Sequence, residues 1–288
     1  MKEQLIKINI DNSFELKDIF ECGQCFRWDI EEDKSYTGVF NNSVVNVKKD
    51  GKTVTFKGVS DRDLKELIED YFDLKTDYKK IKNELSKIDS NLANAVEFGD
   101  GIRILNQDLW ETIISFIISA NNNIPRIKKI INTLSKQYGK EIIFNNKKYY
   151  SFPTPKELGK ASVEDLRKTG LGFRDIRIFN TTKMINDGVF NLEKLKTLND
   201  TKEIENTLLK LDGVGPKVAN CIMLFALKRY DSFPIDVWVR RVMNDLYFKY
   251  DDEEKLSKKE IEKFAKENFK DKAGLAQQYL FYWRREEK

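Results

Sequence analysis

Histidine is absent from all 288 residues, which removes the commonest general base and the commonest metal ligand in proteins. Ser-His and Cys-His nucleophile chemistry is excluded, as are His-rich zinc and non-haem iron sites. Any catalysis must rest on lysine, carboxylate, tyrosine or an unassisted thiol. Cysteine is nearly as scarce. Cys22, Cys25 and Cys221 are too few for a disulfide scaffold or a four-thiolate metal site, so neither a metal nor a cofactor is expected. Long apolar runs are missing too: Ile113 to Ala120 and Val218 to Leu227 carry Ser115, Ser119 and Asn220 and fall short of the ~18 residues that span a bilayer. The start, MKEQLIKINIDN, has no apolar core of a signal peptide. The expectation is a soluble, cytoplasmic monomer with no membrane partner.

What is present is a chain with 40% hydrophobic and 34% charged residues, enough for a sizeable core beneath a charged surface and unlike a disordered chain. The net charge is only +4, but it is unevenly spread. From Arg126 to Lys148 the cations Arg126, Lys128, Lys129, Lys136, Lys140, Lys147 and Lys148 face Glu141 alone. A solvated helix face and a surface for an anionic partner both fit that stretch.

Hydrophobic period divides the chain. Lys7-Ile8-Asn9-Ile10, Tyr36 to Phe40, Val44 to Val47 and Val54-Thr55-Phe56 alternate, and Asp50-Gly51 between the last two is a hairpin signal. Several antiparallel strands are expected. From Ser60 the period becomes helical: Ser60-x-x-Asp63 resembles a capping box, followed by Leu64, Leu67, Ile68 and Tyr71. Helical patterns then continue to the C-terminus. The fold class read from this is α+β, with a β-rich N-terminal domain over 1–95 and a mostly helical domain over 96–288.

The strongest local signal is Leu208 to Ala219, LLKLDGVGPKVA. Leu208 and Leu211 end a helix, Gly213-Val214-Gly215 turns the chain, and Pro216 suits the first turn of the next helix. Exposed amides there would hold a phosphate without reading a base. A plain helical hairpin with a glycine corner is the alternative. The spacing resembles the helix-hairpin-helix DNA-binding motif. Lys217 follows the hairpin, Cys221 lies one turn on, and Asp236 comes nineteen residues after Lys217 (236 − 217). That layout resembles the helix-hairpin-helix-Gly/Pro-Asp superfamily of DNA glycosylases, which implies Lys217 as nucleophile and Asp236 as the essential carboxylate.

Within that superfamily the chain resembles the 8-oxoguanine DNA glycosylase/AP lyases over most of its length. Cys22-Gly23-Gln24-Cys25-Phe26-Arg27-Trp28 is similar to their G-Q-x-F-R-W signature. Trp110-Glu111-Thr112 through Asn121-Asn122-Asn123-Ile124-Pro125-Arg126 is similar to their helix and Asn-triplet loop. Gly170-Leu171-Gly172-Phe173-Arg174 resembles the intercalating turn, with Phe for the more usual Tyr, and Gly274 to Phe281 the helix that closes the base pocket. The iron–sulfur loop of endonuclease III relatives is lacking. The resemblance assigns base recognition to Gly23, Cys221, Gln277 and Phe281. It assigns DNA binding to Asn121, Arg126, Phe173, Arg174, Gly213, Val214 and Gly215. Trp238, standing where eukaryotic members have a phosphate-contacting His, is counted with these. The implied partner is double-stranded DNA containing 8-oxoguanine, and the implied reaction is base excision followed by β-elimination at the abasic site.

The residues fit that chemistry on their own terms. Excising a purine needs a flipped nucleotide, a nucleophile at C1′ and negative charge opposite the developing oxocarbenium ion. A glycine carbonyl separates 8-oxoguanine, which carries a hydrogen on N7, from guanine, which has a lone pair there. Bland readings stand beside each residue: Asp236 as an N-cap, Lys217 as a phosphate-binding side chain, Phe281 and Cys221 as core, Gly23 as a turn, Gln277 as helix surface. Cys22-x-x-Cys25 also admits a redox reading. Two other functions remain as alternatives, an alkyl-base glycosylase of the same superfamily and a non-catalytic helix-hairpin-helix DNA-binding module.

Overall fold

The computed structural model describes residues 1–10 and 13–287. Strands β1 (Lys2–Asn9), β2 (Trp28–Ile30), β3 (Tyr36–Phe40), β4 (Ser43–Asp50) and β5 (Thr53–Ser60) form one antiparallel sheet in the order β1-β5-β4-β3-β2. Alternation buries Val45, Val47, Val54 and Phe56 completely, and α1 (Leu16–Glu21) and α2 (Leu64–Tyr71) pack on them through Ile19, Phe20, Leu64 and Ile68. Asp50 pairs with Thr53, so the β4–β5 loop is Gly51-Lys52, one residue later than expected. Helix α2 also starts later than a Ser60 capping box would place it. Asp63 is the cap, accepting from the Glu66 amide at 3.0 Å, because the Ser60 hydroxyl already accepts from Ser43 at 2.9 Å and from the Arg62 amide at 3.0 Å.

The helical part comprises α3 (Tyr78–Leu85), α4 (Ser90–Phe98), α5 (Leu109–Ser119), α6 (Ile124–Tyr138), α7 (Pro155–Leu158), α8 (Val163–Leu166), α9 (Asp175–Asn186), α10 (Leu192–Thr197), α11 (Thr201–Leu208), α12 (Pro216–Ala226), α13 (Val237–Met243), α14 (Lys258–Asn268) and α15 (Ala273–Glu286). Leu85, Leu92, Ile113, Ile117, Ile222 and Leu280 belong to one continuous core. Side-chain caps at Asp108, Asn123, Asp200 and Ser257 start four of these helices, each worth about 1 kcal/mol. The helical run is interrupted once. Strands β6 (Glu141–Phe144) and β7 (Lys147–Tyr150) form a hairpin within what read as continuing helix. Asn145 and Asn146 take φ of 48° and 59°, the conformation that a tight two-residue hairpin turn requires. Lys147 and Lys148 thus lie on a strand, and the basic stretch is not one helix face.

Gln24 and Arg27, between α1 and β2, tie the N-terminal part to the helical part. Gln24, fully buried, accepts from the Leu105 amide at 2.8 Å and donates to the carbonyls of Arg103 at 2.7 Å and Ile19 at 2.8 Å. Arg27 donates to Ser135 Oγ on α6 and to the Tyr150 carbonyl. Its Nε lies 3.9 Å from Glu111 on α5. Burial pushes the Glu111 carboxyl up to about 7, although Arg27 opposes the shift. Among the described residues no helix is long and apolar enough to cross a membrane.

Candidate active site

Leu211 and Gly213 close α11, and the Val214 amide returns to the Leu211 carbonyl at 3.1 Å. Gly213 has φ of 85°, and a Cβ there would come within 3.0 Å of Arg177 and 3.1 Å of Ile117. Only glycine fits both the backbone and the space. Gly215 is open, with nothing within 4 Å of a built Cβ, and Val214 is 6% exposed beneath the turn. Pro216 opens α12 in its first turn.

Lys217, half-buried in that turn, holds its ammonium 5.4 Å from the centroid of Phe116 on α5. One turn on, Cys221 is buried. Burial raises its thiol's pKa, the nearby positive charge of Lys217 opposes the shift, and the negative charge of Asp236 adds to it. Lys217 and Asp236, singled out by spacing, therefore both lie within electrostatic reach of Cys221. Asp236 caps α13, its Oδ1 accepting from the Val239 amide at 2.8 Å. The cap uses a single carboxylate oxygen and leaves the other without a partner among the described residues. The loop carrying Asp236 is held to α12 by Asn220, whose Oδ1 accepts from the Phe233 amide at 2.9 Å. Asn220 was visible in the sequence only as a polar interruption of an apolar run.

Gly23 and Phe281 also meet. Gly23 has φ of 89°, and a Cβ there would lie 3.6 Å from the Phe281 ring and 3.3 Å from the Arg285 guanidinium. Gln277 on the same helix is 5% exposed, and its side-chain amide takes no partner among the described residues. That leaves the amide available to a ligand. Phe26, three residues after Gly23, packs edge-on against Phe116 at 5.5 Å. The ring beside Lys217 thereby links the two halves of the site. Phe116 lay inside an apolar run, where no pattern separates a core ring from one beside an amine. Cys22 and Cys25 are free and buried. Burial pushes the Cys22 thiol up to about 12 and the Cys25 thiol upward too, so neither offers the thiolate that redox exchange needs.

The third group lies at the edge. Asn121 takes φ of 51° after α5, Asn123 caps α6, and Phe173 is 56% exposed between Gly172 and the start of α9. Arg126 is exposed, and among the described residues its side chain donates only to the Gly170 carbonyl, at 3.2 Å. Arg174, assigned to DNA binding by the resemblance, is engaged within the protein here. It is 2% exposed and donates to the carbonyls of Ala120 and Asn121, at 3.0 and 2.8 Å, and of Leu171 at 3.2 Å. The chain leaving α5 presents carbonyls that continue no helix, and a guanidinium fork satisfies them. Arg174 is a brace between the two loops. Its guanidinium carbon also lies 4.3 Å from the centre of the Phe173 ring. Arg177 stacks on that ring from 5.3 Å and packs on Gly213, tying the wedge to the hairpin. Trp238 on α13 is 38% exposed, with the Arg241 guanidinium 5.7 Å from its ring.

Comparison with known proteins gives two family matches. Residues 6–113 match the 8-oxoguanine DNA glycosylase N-terminal domain, and residues 114–270 match the HhH-GPD superfamily base excision DNA repair protein. Among solved structures, the apo form of the Clostridium acetobutylicum 8-oxoguanine glycosylase/lyase is 44% identical, covers 98% of each chain and superposes with a TM-score of 0.91. The same enzyme bound to double-stranded DNA with cytosine opposite 8-oxoguanine is 44% identical over 99% of this chain and 98% of its own, again at 0.91. A probable N-glycosylase/DNA lyase of Methanothermobacter thermautotrophicus is 30% identical over 77% of this chain and 75% of its own length.

Proposed function

Since the chain belongs to the HhH-GPD superfamily of base excision DNA repair proteins and carries the N-terminal domain of its 8-oxoguanine glycosylases, we propose that it excises 8-oxoguanine from duplex DNA and then cleaves the abasic site. The observation that carries the reading is the Lys217 ammonium over the Phe116 ring, because that ring meets Phe26, three residues after the Gly23 that sits against Phe281.

Duplex DNA would lie across the hairpin amides and the edge loops, with Asn121 and Phe173 filling the space left by the flipped nucleotide. The Lys217 amine attacks C1′ as the bond to the base breaks, and the base leaves with that electron pair and gains a proton. The Asp236 carboxylate faces the positive charge that develops on the sugar. Opening of the sugar gives a Schiff base, loss of a C2′ proton expels the 3′ phosphate, and hydrolysis frees the enzyme. Phe281 and Cys221 flank the flipped ring, Gln277 bonds its Watson–Crick edge, and the Gly23 carbonyl accepts from N7–H.

Borohydride reduction on a duplex with one 8-oxoguanine tests this. The wild type should form a covalent protein–DNA adduct. Lys217→Gln should lose both adduct and strand cleavage yet keep DNA binding, because the hairpin and basic side chains are untouched. An adduct of undiminished yield in Lys217→Gln removes Lys217 as the nucleophile.

A further inference from the structure

Four successive carbonyls pass through the base-recognition segment, and three of them are held. The Glu21 carbonyl accepts from Arg285 Nη2. The Cys22 carbonyl accepts from Gln278 Nε2 at 2.6 Å, and the Gln24 carbonyl from Gln107 Nε2 at 2.7 Å. The Gly23 carbonyl between them has no partner among the described residues. We infer that Gln107, Gln278 and Arg285 are positioning residues that aim the Gly23 carbonyl at the N–H by which an oxidised purine differs from its parent. This deepens the proposed function and rests on its reading of Gly23.

The geometry favours aiming over simple packing. With the carbonyls of Cys22 and Gln24 fixed, the peptide following Gly23 can turn only by breaking a bond on one side or the other. The Gln24 side chain, bonded to Ile19, Arg103 and Leu105, locks the far side again. Gln278, Phe281 and Arg285 follow i, i+3, i+7 spacing and so share one face of α15. The Arg285 guanidinium lies 5.3 Å from the centre of the Phe281 ring. One helix face therefore supplies the stacking ring and two of the three holding donors. Hydrogen-bond strength falls steeply with angle, so a carbonyl that must separate two bases differing at one atom needs a fixed direction.

The test measures binding without turnover, in the Lys217→Gln background. Two duplexes are compared, one with 8-oxoguanine and one with 7-deaza-8-oxoguanine, which has carbon in place of N7 and so no N–H donor. The background protein should prefer the first by about tenfold, the range expected when a site's polar group is left unpaired. Adding Gln278→Met or Arg285→Met should bring that ratio close to one by weakening 8-oxoguanine binding alone. Arg285→Lys, which keeps a donor, should restore part of it. Gln107→Met, at a half-buried position on a different element, gives the same readout should Gln278→Met fail to fold. Equal weakening of both duplexes would mean that these side chains only hold structure, and overturns the inference. Equal binding of both duplexes by the background protein overturns the reading of Gly23 itself, and the clamp with it.

Discussion

The ammonium of Lys217 lies 5.4 Å from the centroid of Phe116, and that ring meets Phe26 edge-on, so the candidate nucleophile and the Gly23 segment share one aromatic neighbour. Phe116→Leu keeps most of the volume and removes the ring face, a contact worth about 0.5–2 kcal/mol. Single-turnover excision should fall about tenfold while duplex affinity stays within about twofold. An unchanged rate would reduce Phe116 to packing.

Asp236→Asn separates the two duties of that carboxylate. Asparagine caps a helix about as well as aspartate, so thermal stability should barely change. Excision should drop by about 100-fold or more, as when a preorganised transition-state partner is lost. Asp236→Ala should lose the cap as well, about 1 kcal/mol, seen in urea unfolding. Substantial activity in Asp236→Asn would leave the residue as a cap only.

Arg174→Lys replaces a buried fork bonded to three carbonyls with one point donor, and the two are not interchangeable there. It should destabilise the protein by roughly 2–4 kcal/mol and slow excision opposite all four bases alike. Selective loss opposite one base would mean that Arg174 turns out to meet DNA directly.

Arg126 has donors to spare. Cytosine offers O2 and N3 as acceptors, so excision should be faster opposite cytosine than opposite adenine. Arg126→Met should narrow that ratio more than it lowers the rate opposite cytosine. Single-turnover rates on four duplexes differing only in the opposite base decide it. A uniform fall would make Arg126 a phosphate contact.

Glu111 makes stability depend on pH. Its carboxyl is raised by burial to about 7 from a value near 4.5 in the unfolded chain. Between these values the folded state binds more protons than the unfolded one, so stability falls as pH rises through that window. Glu111→Gln should flatten this slope, with the variant gaining on the wild type above pH 7 and matching it near pH 4. Parallel stability profiles from denaturant unfolding would show that Glu111 contributes nothing to it.

What could be read in the sequence was what depends on near neighbours. The turn at Gly213 to Pro216, the cap at Asp236 and the one-turn spacing of Lys217 and Cys221 follow from helix geometry. Arg174 could not be placed that way. Two of its three partners are carbonyls 53 and 54 residues away, and backbone acceptors leave no trace in side-chain identity. The β6–β7 hairpin was hidden because its lysines continue the charge pattern of α6, and only Asn145-Asn146 between apolar and aromatic residues marked the turn. Gln278 and Gln107 read as ordinary polar residues because their partners lie in the fold of the Gly23 segment.

Gln278 and Cys22 stand 256 residues apart in the chain, and synthesis runs from one toward the other. The sheet, the wedge loop, the hairpin and Lys217 have all been made before α15 exists. A chain cut short there would hold an amine with no wall to choose its base. However, α15 also buries Leu275, Tyr279, Leu280 and Tyr282 to 2% exposure or less. Losing them forfeits several kcal/mol, comparable with the whole stability of a domain. An unfinished molecule therefore lacks the means to stay folded along with the means to discriminate between bases.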